Sequence, residues 1–166
     1  MGVARRIEVI DDVPGGVGGG GRDDGLGDAV AIAVIAEVEG CRLRVECCDS
    51  LSCLHTIEHF GLGRYGDPIN YDGYILGLNN LHRALKKGGK LYFSVPIGPQ
   101  RIEFNAHRVF SVSYLLECFD GKFSIDHFSF VDDRGDLHEN AMLTEKDAQR
   151  NFGCNHGCGI FEMTKL

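Results

Sequence analysis

One stretch limits the fold of this chain more than any other. In YILGLNNLHRALKK, Tyr74, Leu78, Leu81 and Leu85 recur at helical spacing and share one face. Lys86 and Lys87 are expected in the last turn of that helix, and Gly88-Gly89 supplies a left-handed stop. KLYFSVPIG (90–98) is then almost continuously apolar, the composition of a strand covered on both faces, with Pro96 marking its end. Upstream, DSLSCL (49–54) reads as a short strand ending at His55. Strand, loop, helix and strand in that order form a right-handed βαβ unit with the two strands parallel. The fold class expected is α/β.

The rest of the chain can be placed around that unit. SVSYLLECF (111–119) reads as a short helix with Ser111 as N-cap. GKFSIDHFSFVDD (121–133) alternates as a strand, with Phe123, Ile125 and His127 on one side, then Asp126, Phe128 and Phe130 crossing to the other. A DDRGD turn follows, then a polar and irregular 136–152, and GCGIFEMTKL (157–166) closes as a last strand. The architecture expected is an open Rossmann-like sheet, mostly parallel, with an antiparallel hairpin at its C-terminal edge.

A compositional break near residue 49 sets the first part apart. Residues 1–49 contain no Phe, Tyr, His, Lys, Asn, Gln, Ser or Thr, although together these fill 47 of the 117 positions from Ser50 onward. The missing types span every physical class, so no single structural demand accounts for them. Residues 1–48 are therefore expected to be an atypical Gly-rich segment. They read as a flexible lead, as a diverged first half of the domain, or as the product of a mis-specified gene start. Residues 49–166 carry the folded part. The glycine run PGGVGGGG (14–21) satisfies almost any glycine pattern and is no phosphate loop on that ground.

Charge and cysteine content narrow the function. A net charge of −7 without a basic stripe argues against a nucleic-acid partner. No apolar run reaches the length of a membrane span, and MGVARRIEVIDD lacks the apolar region of a secretory signal. The odd count of seven cysteines reads as reduced thiols, hence a cytoplasmic protein.

The polar residues with chemical potential cluster in LHTIEHFGLGRYGDP (54–68). His55, Glu58 and His59 have the H-x-x-E-H spacing of an inverted zinc-protease motif, but Gly61 and Gly63 leave room for one helical turn only, too short to aim both histidines at one metal. A turn at the carboxyl edge of the sheet that carries ligand-facing side chains is the better reading. Arg64 could clamp a carboxylate or phosphate, with Tyr65 and Asp67 orienting it, or an Arg64–Asp67 pair could merely stiffen the turn. His107 and Arg108 fall near the same edge after the second strand; His107 is a candidate general base. In CNHGC (154–158), Cys154, His156 and Cys158 read as structural thiols with a turn histidine, and DDRGD (132–136) as a solvated hairpin connection.

With these residues in hand, the chain resembles the second half of class I S-adenosylmethionine-dependent methyltransferases. A finer likeness is to a methyltransferase-like family of unknown function, carried by H-x-x-E-H-F-G-L-G-R-Y-G-D-P, F-N-A-H-R-V-F (104–110), V-D-D-x-G-D-L-H-E-N (131–140) and a late Gly-Cys-Gly, all within residues 49–166. The resemblance implies a seven-strand sheet in which DSLSCL is the fourth strand and KLYFSVP the fifth. It implies S-adenosylmethionine as cofactor, held by Asp11, Ser52 and His55, with RRIEVID as the second strand. His55 and His107 would be the catalytic residues, and Glu58, Arg64, Tyr65, Asp67 and Arg108 the contacts to a small-molecule or sugar acceptor. No metal ligand is implied. The glycine turn after the first strand of that superfamily is missing here, so the competing expectation is a truncated or degenerate domain that binds without catalysis.

Overall fold

The computed structural model describes residues 45–63, 69–103 and 106–166. The expectations for residues 1–44, Asp11 among them, and for Arg64, Tyr65 and Asp67 lie outside these.

The central unit forms as its sequence demands. β1 (Cys48–Leu54) runs parallel to β2 (Leu85–Ile97), and α1 (Gly73–Ala84) connects them. The apolar face of α1 buries Tyr74, Leu78 and Leu81. Its end differs from expectation. Leu85 is already extended, with ψ 140°, so Lys86 and Lys87 are not in the helix. They lie in an irregularity of β2, where Cys48 pairs with Leu85 but Ser50 pairs with Lys90. Gly88, at φ 75°, makes this excursion possible, and Lys86 Nζ reaches Asp49 Oδ1 at 2.8 Å instead of capping helix carbonyls. β2 is buried without interruption only from Phe93 to Ile97; before that Lys90 and Tyr92 are exposed.

β3 (Arg101–Glu103) and β4 (His107–Val109) form a small antiparallel pair beyond β2. α2 (Val112–Phe119) begins as expected at Ser111, whose hydroxyl accepts from the Tyr114 N–H. β5 (Phe123–Val131) changes the parity of its side chains at Asp126, because Ile125 and His127 pair with the consecutive residues Met163 and Glu162. This bulge brings Phe123 and Ile125 onto one sheet face with Phe128 and Phe130, whereas plain alternation puts Phe128 and Phe130 on the opposite side, with His127 beside Phe123 and Ile125. Residues 136–152 are more regular than their polarity suggests. They contain β6 (Leu137–His138) and α3 (Glu145–Gln149), the latter capped by Thr144, whose hydroxyl accepts from the Asp147 N–H.

β7 (Gly157–Lys165) returns into the gap between β2 and β5, antiparallel to both, giving the order β1-β2-β7-β5-β6. Among the described residues the main sheet has one parallel pairing, β1 with β2, and its other pairings are antiparallel. The described part of the sheet is thus mixed, in an atypical Rossmann-like arrangement, where a mostly parallel sheet was expected of the whole domain. The antiparallel pairings come from β7, which inserts between β2 and β5; among the described residues α1 is the only crossover between neighbouring parallel strands. Phe161 of β7 lies at the centre of the core, with ring centroids 5.4 Å from Phe119 and 4.8 Å from Phe128, and it is fully buried. Among the described residues no helix is long and apolar enough to cross a membrane.

The loop after β1 is held by a buried cation. Arg108, only 3% exposed, donates to the carbonyls of Glu58 at 3.4 Å, Phe60, and Tyr71 at 3.1 Å. Its guanidinium also lies 4.7 Å over the Tyr74 ring. The Asn70 N–H donates to Gly61 O at 3.0 Å, and Gly61, at φ 71°, leaves no room for a side chain: a Cβ would fall 1.9 Å from Asn70 O. Planar forked donation to several carbonyls is something a lysine cannot reproduce.

Two stability outcomes follow. Phe161→Ala is expected to cost about 3–5 kcal/mol, the usual range for removing a core aromatic. Arg108→Met is expected to cost about 2–3 kcal/mol by leaving buried carbonyls without a charged donor. Urea unfolding followed by circular dichroism measures both, and a loss under about 0.5 kcal/mol at either site would contradict the packing described.

Candidate functional site

β1, β2 and β5 end, and β7 begins, at one edge of the sheet. A cleft of about 370 Å³ opens there, lined by His55, Glu58, His59, Pro96, His107, Val131, Asp132, His156, Gly157 and Cys158. This is the edge at which open α/β sheets bind ligands.

His55 stands where β1 stops. Its N–H still donates to Ser94 O at 2.9 Å, as a ladder residue would, but its φ of 47° turns the chain out of the strand. A left-handed conformation at a residue other than glycine is strained, and such strain is held only where surrounding contacts fix it. The contacts are specific. His55 Nε2 lies 3.1 Å from Cys158 Sγ, and His55 Nδ1 lies 3.3 Å from Glu58 Oε1. Glu58 sits in the single 3-10 turn Ile57–His59, is 2% exposed, and its Oε2 is buried without a hydrogen-bond partner.

The two histidines of the H-x-x-E-H run do different work. His59 Nδ1 donates to Ala106 O at 2.8 Å, and its Nε2 is 3.9 Å from Glu58 Oε1. The single turn expected from Gly61 and Gly63 is what forms, and it sends His55 toward β7 and His59 toward β4. Among the described residues no three metal-type ligands gather. Across the cleft, His107 and His156 bring their Nε2 atoms within 3.2 Å, so one ring donates to the other.

The turn carrying His156 and Cys158 is pinned by the acidic hairpin after β5. Asp133 accepts from the N–H groups of Asn155 and His156 at 2.9 Å each, and Asp132 accepts from Arg134 and Asp136 N–H while contacting His138 Nε2 at 3.1 Å. The contact with His138 and these backbone donors hold the Asp132 carboxyl far below the usual carboxylate range.

Of the residues singled out from sequence, His55, Glu58 and His107 line the cleft. Ser52 does not: it lies mid-strand opposite Tyr92. Arg108 belongs to the buried staple of the preceding loop and not to the cleft wall. Cys158, His156 and Asp132 line the cleft and were read from sequence as structural. The only signal for them was three metal- or acid-type side chains beside glycines, and spacing alone did not connect Cys158 to a histidine 103 residues away.

Electrostatics separates the two histidines on opposite walls. The hydrogen bond to Cys158, then that to Glu58, push His55 up to about 10 against the opposing effect of burial. Burial first, then the neighbouring His156 and His59, push His107 below the ordinary histidine value. Because His55 titrates higher folded than unfolded, its contribution to stability is complete below about 6.5 and is lost as pH rises through about 10. In an NMR titration the His55 ring should keep its protonated shifts well above pH 7 while His107 deprotonates below 6.5; the reverse order would overturn this account.

The search of curated proteins returned no match. Among solved structures the chain is similar to the one titled "Crystal structure of MccD protein", at 11% identity and a TM-score of 0.45. The likeness covers 74% of this chain and 62% of that one, so this chain spans less than two thirds of the MccD chain. Residues 31–153, well over half of the chain, match the family described as "Caenorhabditis protein of unknown function, DUF268", and the chain belongs to that family.

Proposed function

We propose that the chain is a methyltransferase-like domain that works as a small-ligand binding module and does not transfer methyl groups. The observation that supports this most is the cleft at the carboxyl edge of the sheet, walled by imidazoles and carboxylates. Hydroxyl-rich small molecules, sugars included, match such a wall, because each hydroxyl can donate to a carboxylate and accept from an imidazole N–H. Arg64, Tyr65 and Asp67, a few residues after Glu58 in the sequence, are assigned to that ligand on their sequence position. Residues 49–166 are taken as the functional part, in the cytoplasm, with neither nucleic acid nor membrane as partner.

The methyltransferase reading would place S-adenosylmethionine on Asp11, Ser52 and His55, with His55 and His107 serving catalysis. The described members of that set do not fit the cofactor. Ser52 is away from the cleft, and both ring nitrogens of His55 are engaged, one by Cys158 and one by Glu58.

Calorimetric titration of S-adenosylmethionine and S-adenosylhomocysteine into the full chain decides between the two. No saturable heat is expected from either, together with shifts of the His107 and His156 ring resonances on adding a neutral monosaccharide at millimolar concentration. Micromolar binding of either sulfur compound would return the chain to the methyltransferases.

A further inference from the structure

The same cleft holds an arrangement that binding alone does not require. Cys158, His55 and Glu58 stand in line: Sγ to Nε2 at 3.1 Å, and Nδ1 to Oε1 at 3.3 Å. That is the geometry of a nucleophile, a base and the group that orients the base. We propose that Cys158 is a nucleophile toward acyl esters, with His55 as its proton acceptor and Glu58 as the residue that positions His55.

Four observations carry this. Cys158 is half-buried and lines the cleft, so a small ester reaches it. Among the described cysteines it alone contacts an imidazole; Cys53 and Cys154 are buried, and burial pushes their thiols up to about 12 and 11. His55 holds its position at a strained φ of 47°, which the two side-chain contacts maintain. Glu58, buried to 2% and with Oε2 unpartnered, is placed for no other polar group that the described residues offer beyond the two histidines.

The proton logic follows from the protonated ring. At rest Nε2 already holds the proton taken from Sγ, and the imidazolium donates to Sγ on one side and to Glu58 on the other. In the reaction, an electron pair of Sγ forms the bond to the acyl carbon while Nε2 keeps the proton. The carbon–oxygen bond to the leaving alcohol breaks, and Nε2 returns the proton to that oxygen. Water then attacks the resulting thioester, giving one proton to Nε2 as Sγ departs. Ester and water become acid and alcohol, with the resting pair regenerated.

The inference rests on the cleft being a ligand site, but not on which ligand fills it. The test uses the full chain and p-nitrophenyl acetate, following p-nitrophenolate release and mapping the acetyl group by peptide mass spectrometry. A burst of one equivalent is expected, with acetyl on Cys158 at least tenfold faster than on Cys118, a half-buried thiol that burial pushes up. Cys158→Ser should abolish the burst, and His55→Gln should slow it at least tenfold. Glu58→Gln should slow it while moving the His55 ring titration downward, a change that mere loosening of the loop would not produce. Acetylation of Cys158 no faster than of Cys118 would overturn the proposal and leave the contact as a tie between β1 and β7. Because that comparison is made on the natural sequence, it stands even where a variant fails to fold. Saturable S-adenosylmethionine binding alongside Cys158 acetylation would sink the binding-module reading alone.

Discussion

The site depends on one buried carboxylate. Glu58 is almost wholly removed from water, and a carboxylate in that position is costly unless a cation or several donors meet it. The cation available is His55, 3.3 Å away, and the requirement runs in both directions. Glu58 favours a protonated His55 ring, and the ring's other nitrogen is then aimed at Cys158 across the end of β2. Arg108 closes the arrangement from behind, donating to the Glu58 carbonyl and to the loop that carries it. The strained backbone of His55 is the cost of this alignment, and its persistence is a measure of how firmly the surrounding contacts fix it.

Sheet order explains why the partners can meet at all. His55 follows β1, and Cys158 is the second residue of β7, two positions across the sheet with β2 between them. Only because β7 runs antiparallel does its amino end lie at the same edge as the carboxyl ends of β1 and β2. Glycine at 157 is what permits the start of β7 to sit so close to its neighbours: a Cβ there would fall 2.6 Å from Val131 O. Cys158 follows directly, and Asp133 fixes the turn just before it.

This also shows which parts of the molecule were legible in the sequence. α1, β1, α2, β5 and β7 were legible because each is written in local periodicity, and Ser111 because an N-cap is a local device. The helix end at Ala84 was not, since Lys86, Lys87 and Gly88 suit a helix terminus as well as a strand irregularity, and pairing with β1 decides between them. α3 was hidden by its polarity and brevity. The mixed character of the described sheet was not legible for a different reason: the position of β7 between β2 and β5 is a long-range choice that no local pattern encodes.

The same division holds inside the cleft. His55, Glu58 and His107 stood out because their own neighbourhoods are unusual, whereas Arg108 looked like a ligand contact and is instead consumed by loop carbonyls. Cys158 looked inert for want of a partner within reach along the chain. Reactivity of a thiol is set by the charges and donors around it and not by its flanking residues, so a nucleophile paired across a sheet is invisible until the strands are ordered. The two motifs read as structural, the acidic hairpin and the Cys-Asn-His-Gly-Cys turn, prove to be one device: the hairpin's carboxylate holds the turn, and the turn presents the sulfur to His55. What unites them is the return of β7 into the sheet, which makes the fold's least predictable topological step the one on which its chemistry rests.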